Sequence, residues 1–186
     1  MFHEPPTLEV CINRVAVKTF ARRYYKDLVN AVNLKGNERV LDFGSGAGGP
    51  AVFIAKQLEK AGGWLTCVDV SHKWIRCAKR NLQAYRNVDF KLGYIGDVDI
   101  QENSYDMINI HFVMHEIPVE SRSETAAVLY KKLKKGGLVF MREPVYDDNA
   151  IKELVALFEK QGMKKKYIKE ITVPVSGESF EVCLEK

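Results

Sequence analysis

The sequence predicts an α/β fold in a single domain, built on a mostly parallel sheet that ends in an antiparallel hairpin. Three observations carry this. Short apolar runs alternate with helix-patterned segments, the order expected of a parallel sheet crossed by helices. One of these runs, Arg39–Phe43, feeds a glycine-rich turn and then a helix, through Gly44-Ser45-Gly46-Ala47-Gly48-Gly49-Pro50-Ala51. Two alternating segments close the chain, 163–172 and 178–184, joined near Pro174-Val175-Ser176-Gly177, as in a hairpin.

Each element follows from local pattern. Residues 10–32 place Ile12, Val15, Thr19, Ala21, Tyr25, Leu28, Val29 and Val32 at three- and four-residue spacings, with Arg22, Arg23 and Lys26 on the wet side. This predicts one long amphipathic helix, stopped at Lys35-Gly36-Asn37. After the first strand, 39–43, Pro50 suits the first turn of a helix over 51–60, where its missing N–H costs nothing. Gly62-Gly63 ends that helix, and the second strand is 64–69. Ser71 caps the next helix, which runs through Trp74, Ile75, Ala78 and Leu82. The third strand is 88–92 and the fourth 105–111. A helix over 120–133 ends in Lys131-Lys132-Leu133-Lys134-Lys135-Gly136; the lysines complement its dipole and Gly136 fits its C-terminal stop. The fifth strand ends in Met141-Arg142-Glu143-Pro144, and a helix over 149–161 precedes the hairpin.

Composition narrows the function. The 186 residues suit one domain with a sizeable core. A net charge of +4 is too mild to imply nucleic acid, and no basic stripe interleaved with aromatics is present. No apolar run approaches the length of a transmembrane helix, and residues 1–10 carry acids and two prolines rather than an apolar leader core. The four cysteines are scattered, without a C-x-x-C pair, so neither zinc nor a disulfide framework is expected and the metal expectation is none. A cytoplasmic location is the expectation.

The glycine turn is the chemical centre. Glycines without Cβ let the backbone turn sharply and approach a ligand, and a pocket at the carboxyl end of a strand suits a nucleotide-type ligand. Gly44, Gly46 and Gly49 also fit the G-x-G-x-x-G dinucleotide pattern. Asp42 decides between the two: a carboxylate two residues before the first glycine would repel a pyrophosphate, which that mode seats on a positive helix end. S-adenosylmethionine (SAM) has no phosphate and carries an ammonium, which an acid favours. Asp69, about twenty residues further on, can accept both ribose hydroxyls of an adenosine.

The D-x-G-x-G-x-G spacing of Asp42, Gly44, Gly46 and Gly48 resembles motif I of the class I SAM-dependent methyltransferases. Four further features extend the resemblance from about Val32 to the end: the acid Asp69, the Gly96-Asp97 loop, the stretch Phe112–Pro118 after the fourth strand, and Gly136-Gly137 before the fifth. The pattern is most similar to the subset that includes quinone-biosynthesis and small-molecule methyltransferases. It implies a Rossmann-like, seven-stranded, mostly parallel sheet with helices on both faces and a reversed last hairpin, in one domain spanning 1–186. Segment 1–35 would lie over the cofactor site, and 36–186 would form the core.

The resemblance implies SAM as cofactor, held by Asp42, Gly44, Ser45, Gly46, Asp69, Val70, Asp97, Val98, Phe112 and Tyr24. Asp97 would meet the adenine amino group, the Val98 amide the ring, and Phe112 would wall the adenine. Turn-forming roles remain alternatives for Asp69 and Asp97. Tyr24 and Tyr25 either approach the cofactor or pack helix to sheet. His115 matches a histidine often found after the fourth strand, and Glu116 follows it. Either His111 or His115 could serve as general base for a hydroxyl substrate, or both could orient the loop. Glu143 is a candidate for substrate contact at the pocket rim. The expected reaction is methyl transfer to a small-molecule or lipid-like acceptor at an open site, which a homo-oligomer or partner could complete. A non-catalytic SAM-binding scaffold, a macromolecular acceptor and an NAD-linked oxidoreductase are the alternatives.

Overall fold

The computed structural model describes residues 4–19, 22–144, 148–173 and 177–186. The chain divides into two compact units, Met1–Asp99 and Ile100–Lys186. Its seven strands form one sheet in the order β3-β2-β1-β4-β5-β7-β6. The expected fold class is therefore observed.

In the N-terminal unit, β1 (Arg39–Phe43) pairs in parallel with β2 (Trp64–Asp69), and β2 with β3 (Val88–Leu92). Val40, Leu41, Leu65, Cys67 and Val68 are buried, consistent with a central parallel pair covered on both faces. Helix α3 (Gly49–Leu58) opens on Gly48 in the left-handed region, with Pro50 in its first turn. Helix α4 (His72–Asn81) opens on Ser71, whose hydroxyl accepts from the Trp74 amide. The single N-terminal helix expected over 10–32 is corrected to two, α1 (Thr7–Lys18) and α2 (Arg22–Val32). The Thr19 hydroxyl donates to the Val15 carbonyl at 2.9 Å, a back-bond that competes with the helix ladder, and the Arg22 amide turns back onto the Thr19 carbonyl. Ala21, counted in the helical pattern, lies outside the described residues.

In the C-terminal unit, β4 (Tyr105–His111) pairs in parallel with β5 (Leu133–Pro144). Strand β7 (Gly177–Glu185) runs antiparallel between β5 and β6 (Lys164–Val173). The expected joining turn, Pro174-Val175-Ser176, lies outside the described residues. Helices α5 (Val119–Lys132) and α6 (Asp148–Glu159) pack on each other and on this part of the sheet. Gly136 does not end α5, as the local pattern suggested. The helix stops at Lys132, Leu133 is already extended, and the pairing of β4 with β5 slips between Tyr105 and Met107. Gly136, at φ +76°, lies in this irregular stretch, where its amide donates to the Lys186 carbonyl. The chain end thus captures the glycine that local sequence assigns to a helix stop.

Candidate cofactor and acceptor sites

In the N-terminal unit the glycine turn is pinned by main-chain bonds. The amides of Gly44 and Ser45 both donate to the Val68 carbonyl, at 2.9 and 3.0 Å. The Gly48 amide donates to the Ser45 carbonyl at 2.8 Å. Gly44, Gly46 and Gly48 all have positive φ, 69°, 50° and 79°, a region that strains side-chain-bearing residues. A Cβ at Gly48 would meet Leu82 Cδ1 at 2.9 Å, whereas one at Gly46 would project into open space. Gly48 is therefore a packing requirement, and Gly46 keeps a space clear.

Asp69, at the end of β2, holds this turn from below. One carboxylate oxygen accepts from the Gly46 amide at 2.8 Å, the other from the Ser71 amide at 2.9 Å. Burial pushes the Asp69 carboxyl up from its ordinary value, while the Ser71 and Gly46 amides pull it down. Each carboxylate oxygen has a second lone pair, so a hydroxylated ligand can bind without breaking the turn. Val70 follows, half-buried. Asp42 is buried at the end of β1. The Ser45 hydroxyl is buried with no hydrogen-bond partner among the described residues. An acid, an orphaned hydroxyl and a space kept open by Gly46 fit the amino-acid and ribose ends of SAM.

The N-terminal helices pack onto this turn. Val17 of α1 and Cys77 of α4 bury Ala47 of the turn, with Val10, Tyr25, Val52 and Trp74 around them. Tyr25, rather than Tyr24, meets the turn: a Cβ on Gly49 would lie 2.5 Å from the Tyr25 ring. Burial pushes the Tyr25 hydroxyl up to about 12, with Tyr24 and Asp42 adding to the effect. Tyr24 stacks at a tilt on Tyr25, centroids 5.3 Å apart. Glu4 reaches α4: its carboxylate accepts from the Ser71 hydroxyl at 2.6 Å and the His72 amide at 2.8 Å. Sequence reading missed Glu4, whose partners lie 67 and 68 residues away. In the 93–98 loop Asp97 is exposed, and the Val98 amide donates to the Tyr94 carbonyl at 3.2 Å. An adenine ring would have to share or displace that bond.

In the C-terminal unit Glu143 is a hydrogen-bonding hub. It is 2% exposed. One oxygen accepts from the amides of Val113 and Met114, at 3.0 and 2.8 Å. The other accepts from the His115 amide at 3.3 Å and lies 2.6 Å from His115 Nδ1. A carboxylate only accepts, so Nδ1 carries the proton and Nε2 is the basic nitrogen. Glu143 thus orients His115, and it also lines the cleft beside that ring. Glu116 is exposed, with its carboxylate 4.0 Å from Nε2. His111 is half-buried, and desolvation and the Arg142 charge push it down to about 3, a direction that disfavours it as a base relative to His115. Phe112 takes φ +58° with its amide on the Arg142 carbonyl. A non-glycine residue there costs about 1 kcal/mol or more, and its ring sits between those of His111 and His115, at 4.4 and 6.4 Å.

The methyltransferase-domain family model matches residues 40–137, just over half of the chain. The chain belongs to that family, the class I SAM-dependent methyltransferases. The carboxy-S-adenosyl-L-methionine synthase of Shewanella loihica is 30% identical to this methyltransferase-domain chain over 123 residues, which are 64% of the chain and 50% of that protein. The chain spans about half the length of the curated relatives it matches. A SAM-dependent methyltransferase from Aquifex aeolicus superposes with a TM-score of 0.75 at 18% identity, covering 92% of this chain and 97% of that one. A SAM-dependent methyltransferase from Methanosarcina mazei gives 0.66 at 17%, covering 85% and 96%. At these identities the likeness is one of fold. The family's cofactor is SAM. No described helix is long and apolar enough to cross a membrane.

Proposed function

We propose that this chain binds SAM and transfers its methyl group to the O–H or N–H of a small-molecule or lipid-like acceptor. The single observation that carries the proposal is the His115–Glu143 pair, because a protein that merely binds SAM has no use for a histidine held to one tautomer. Asp42, Gly44, Ser45, Gly46, Asp69 and Val70 hold the cofactor in this reading. Residues 1–35 cover it, and 1–186 act as one domain. Bound SAM supplies an electrophilic sulfonium methyl. The work left to the chain is alignment, exclusion of water and removal of one proton. Glu143 keeps the proton on Nδ1 of His115, so Nε2 takes the acceptor's proton and Glu143 stabilises the imidazolium that results.

The test is formation of S-adenosylhomocysteine from SAM with a fractionated metabolite extract, alongside calorimetric titration of SAM. His115→Gln is expected to cut turnover about 100-fold or more with SAM affinity unchanged. SAM binding without product in any fraction would favour a scaffold, and product only with a macromolecular fraction would replace the acceptor class. The relatives' name favours a second reading, in which the SAM methyl loses a proton and takes a carboxyl group from a carboxylic-acid co-substrate, giving a carboxylated SAM. Mass spectrometry separates the two: methyl transfer gives S-adenosylhomocysteine, and the alternative gives SAM heavier by one carboxyl group.

A further inference from the structure

The C-terminal unit has a cleft lined by His115, Arg122, Pro144, Ala150, Ile151 and Leu154. Pro144, Ala150, Ile151 and Leu154 give it an apolar side, opposite in character to His115, Arg122 and Glu143. Ile151 and Leu154 come from one face of α6 and are 4% and 3% exposed, and Pro144 ends β5. Among the described residues, the cation lining it is Arg122, half-buried near the start of α5. The Arg122 Nε donates to the Ile117 carbonyl at 2.8 Å, and one terminal nitrogen donates to the His115 carbonyl at 2.9 Å. These two bonds use two of five guanidinium protons. They fix the plane of the group and, among the described residues, leave the other terminal nitrogen with both of its protons. Among the residues whose side chains are described, no carboxylate pairs with Arg122. The acid that also lines the cleft, Glu143, is engaged by the amides of Val113, Met114 and His115 and by the His115 ring.

A half-buried guanidinium, immobilised by carbonyls and set among apolar side chains, is costly unless an anion completes it. We infer that Arg122 is the anion receptor of this cleft, and that the cleft takes a small carboxylic acid with an apolar body. Lysine would not serve equally, because the flat fork matches the two oxygens of a carboxylate. The inference deepens the proposed function by naming the acceptor's class. It rests on that reading only for the statement that the bound acid is the molecule methylated.

Binding to the full chain is measured for benzoate, 4-hydroxybenzoate and hexanoate, for the neutral methyl ester of each, and for inorganic phosphate. The readouts are calorimetry and the NMR resonance of the Arg122 Nε–H. At least one acid is expected to bind about 10- to 100-fold more tightly than its ester, the worth of a charge-assisted hydrogen bond, and to shift the Arg122 resonance. Arg122→Gln abolishes that preference, and Arg122→Lys keeps part of it. If Arg122 only braces the loop, Arg122→Gln weakens acid and ester alike, which overturns the inference. Binding of no acid, equal binding of acid and ester, or binding of phosphate in preference to every acid also overturns it. Where Arg122→Gln fails to fold, the wild-type acid-to-ester ratio and the Arg122 resonance decide alone. SAM titration run in parallel separates the two readings: loss of SAM binding with acid binding intact defeats the proposed function and leaves the receptor standing.

Discussion

The two units of the chain are both organised by carboxylates, but to different ends. In the N-terminal unit Asp69 gathers the amides of Gly46 and Ser71, and Glu4 gathers the Ser71 hydroxyl and the His72 amide. What they build is a turn of main chain and glycine held in place by amide bonds. In the C-terminal unit Glu143 ties amides to the His115 ring, and Glu181 ties Arg142, Lys169 and Tyr167 together. What they build is a set of side chains fixed in orientation and charge. The first unit shapes a space, and the second arms one.

The comparison is broken most severely at Glu181. It is fully buried, accepts from Arg142 at both Nε and a terminal nitrogen, and accepts from Lys169 at 2.7 Å. Burial raises its carboxyl, and Lys169 and Arg142 outweigh that and lower it. Glu181→Ala is expected to cost about 3–5 kcal/mol in urea unfolding, because it leaves a buried guanidinium without its carboxylate. A loss under about 1 kcal/mol would mean that the C-terminal unit does not depend on ion pairing.

Glu143→Gln tests whether side-chain orientation belongs to one unit alone. Turnover is expected to fall about 100-fold, or about 2.7 kcal/mol, with SAM affinity within about twofold of wild type. Equal losses in turnover and SAM affinity would remove the distinction between the units.

The glycines give a smaller effect with an internal control. Gly48→Ala meets both a positive φ and Leu82 Cδ1, and is expected to cost about 2 kcal/mol of stability. Gly46→Ala meets only the positive φ, so it costs about 1 kcal/mol, yet it fills the space kept for the ligand and should weaken SAM about tenfold or more. If Gly46→Ala binds SAM normally, the glycine turn is not the cofactor site.

The smallest effect is a pH dependence at Glu4. Its carboxyl is lowered below 4.5 chiefly by the Ser71 hydroxyl, against the opposing effect of burial, with the His72 and Lys73 amides helping. A lowered carboxyl contributes stability that is present above its unfolded value and lost as pH falls through its folded value. The melting difference between wild type and Glu4→Gln should therefore be constant above pH about 5 and vanish on acidification below 4.5. A difference that persists at low pH would show that Glu4 acts by packing.

How much was legible varied with the reach of the interactions. The strands 39–43, 64–69, 88–92 and 105–111 have the bounds their sequences predict, since apolar pattern and flanking turn residues are both local. The break between α1 and α2 was hidden because it falls within continuous helical spacing, at Thr19. Tyr24 and Tyr25 differ by one position, which on a helix is a rotation of about 100°, and only packing on Gly49 distinguishes them. Glu143 read as a rim acid because its partners lie 28 to 30 residues away.

By itself the sequence determined the glycine turn, the acids flanking it and the order of strands and helices, because each rests on backbone freedom or on hydrophobic spacing within a few residues. The tertiary structure alone decided which carboxylate orients which histidine, that His111 is half-buried beside a cation, and that Gly136 answers to Lys186 rather than to its own helix. Those outcomes depend on burial and on partners brought together by the sheet, and neither quantity is written in the neighbouring residues.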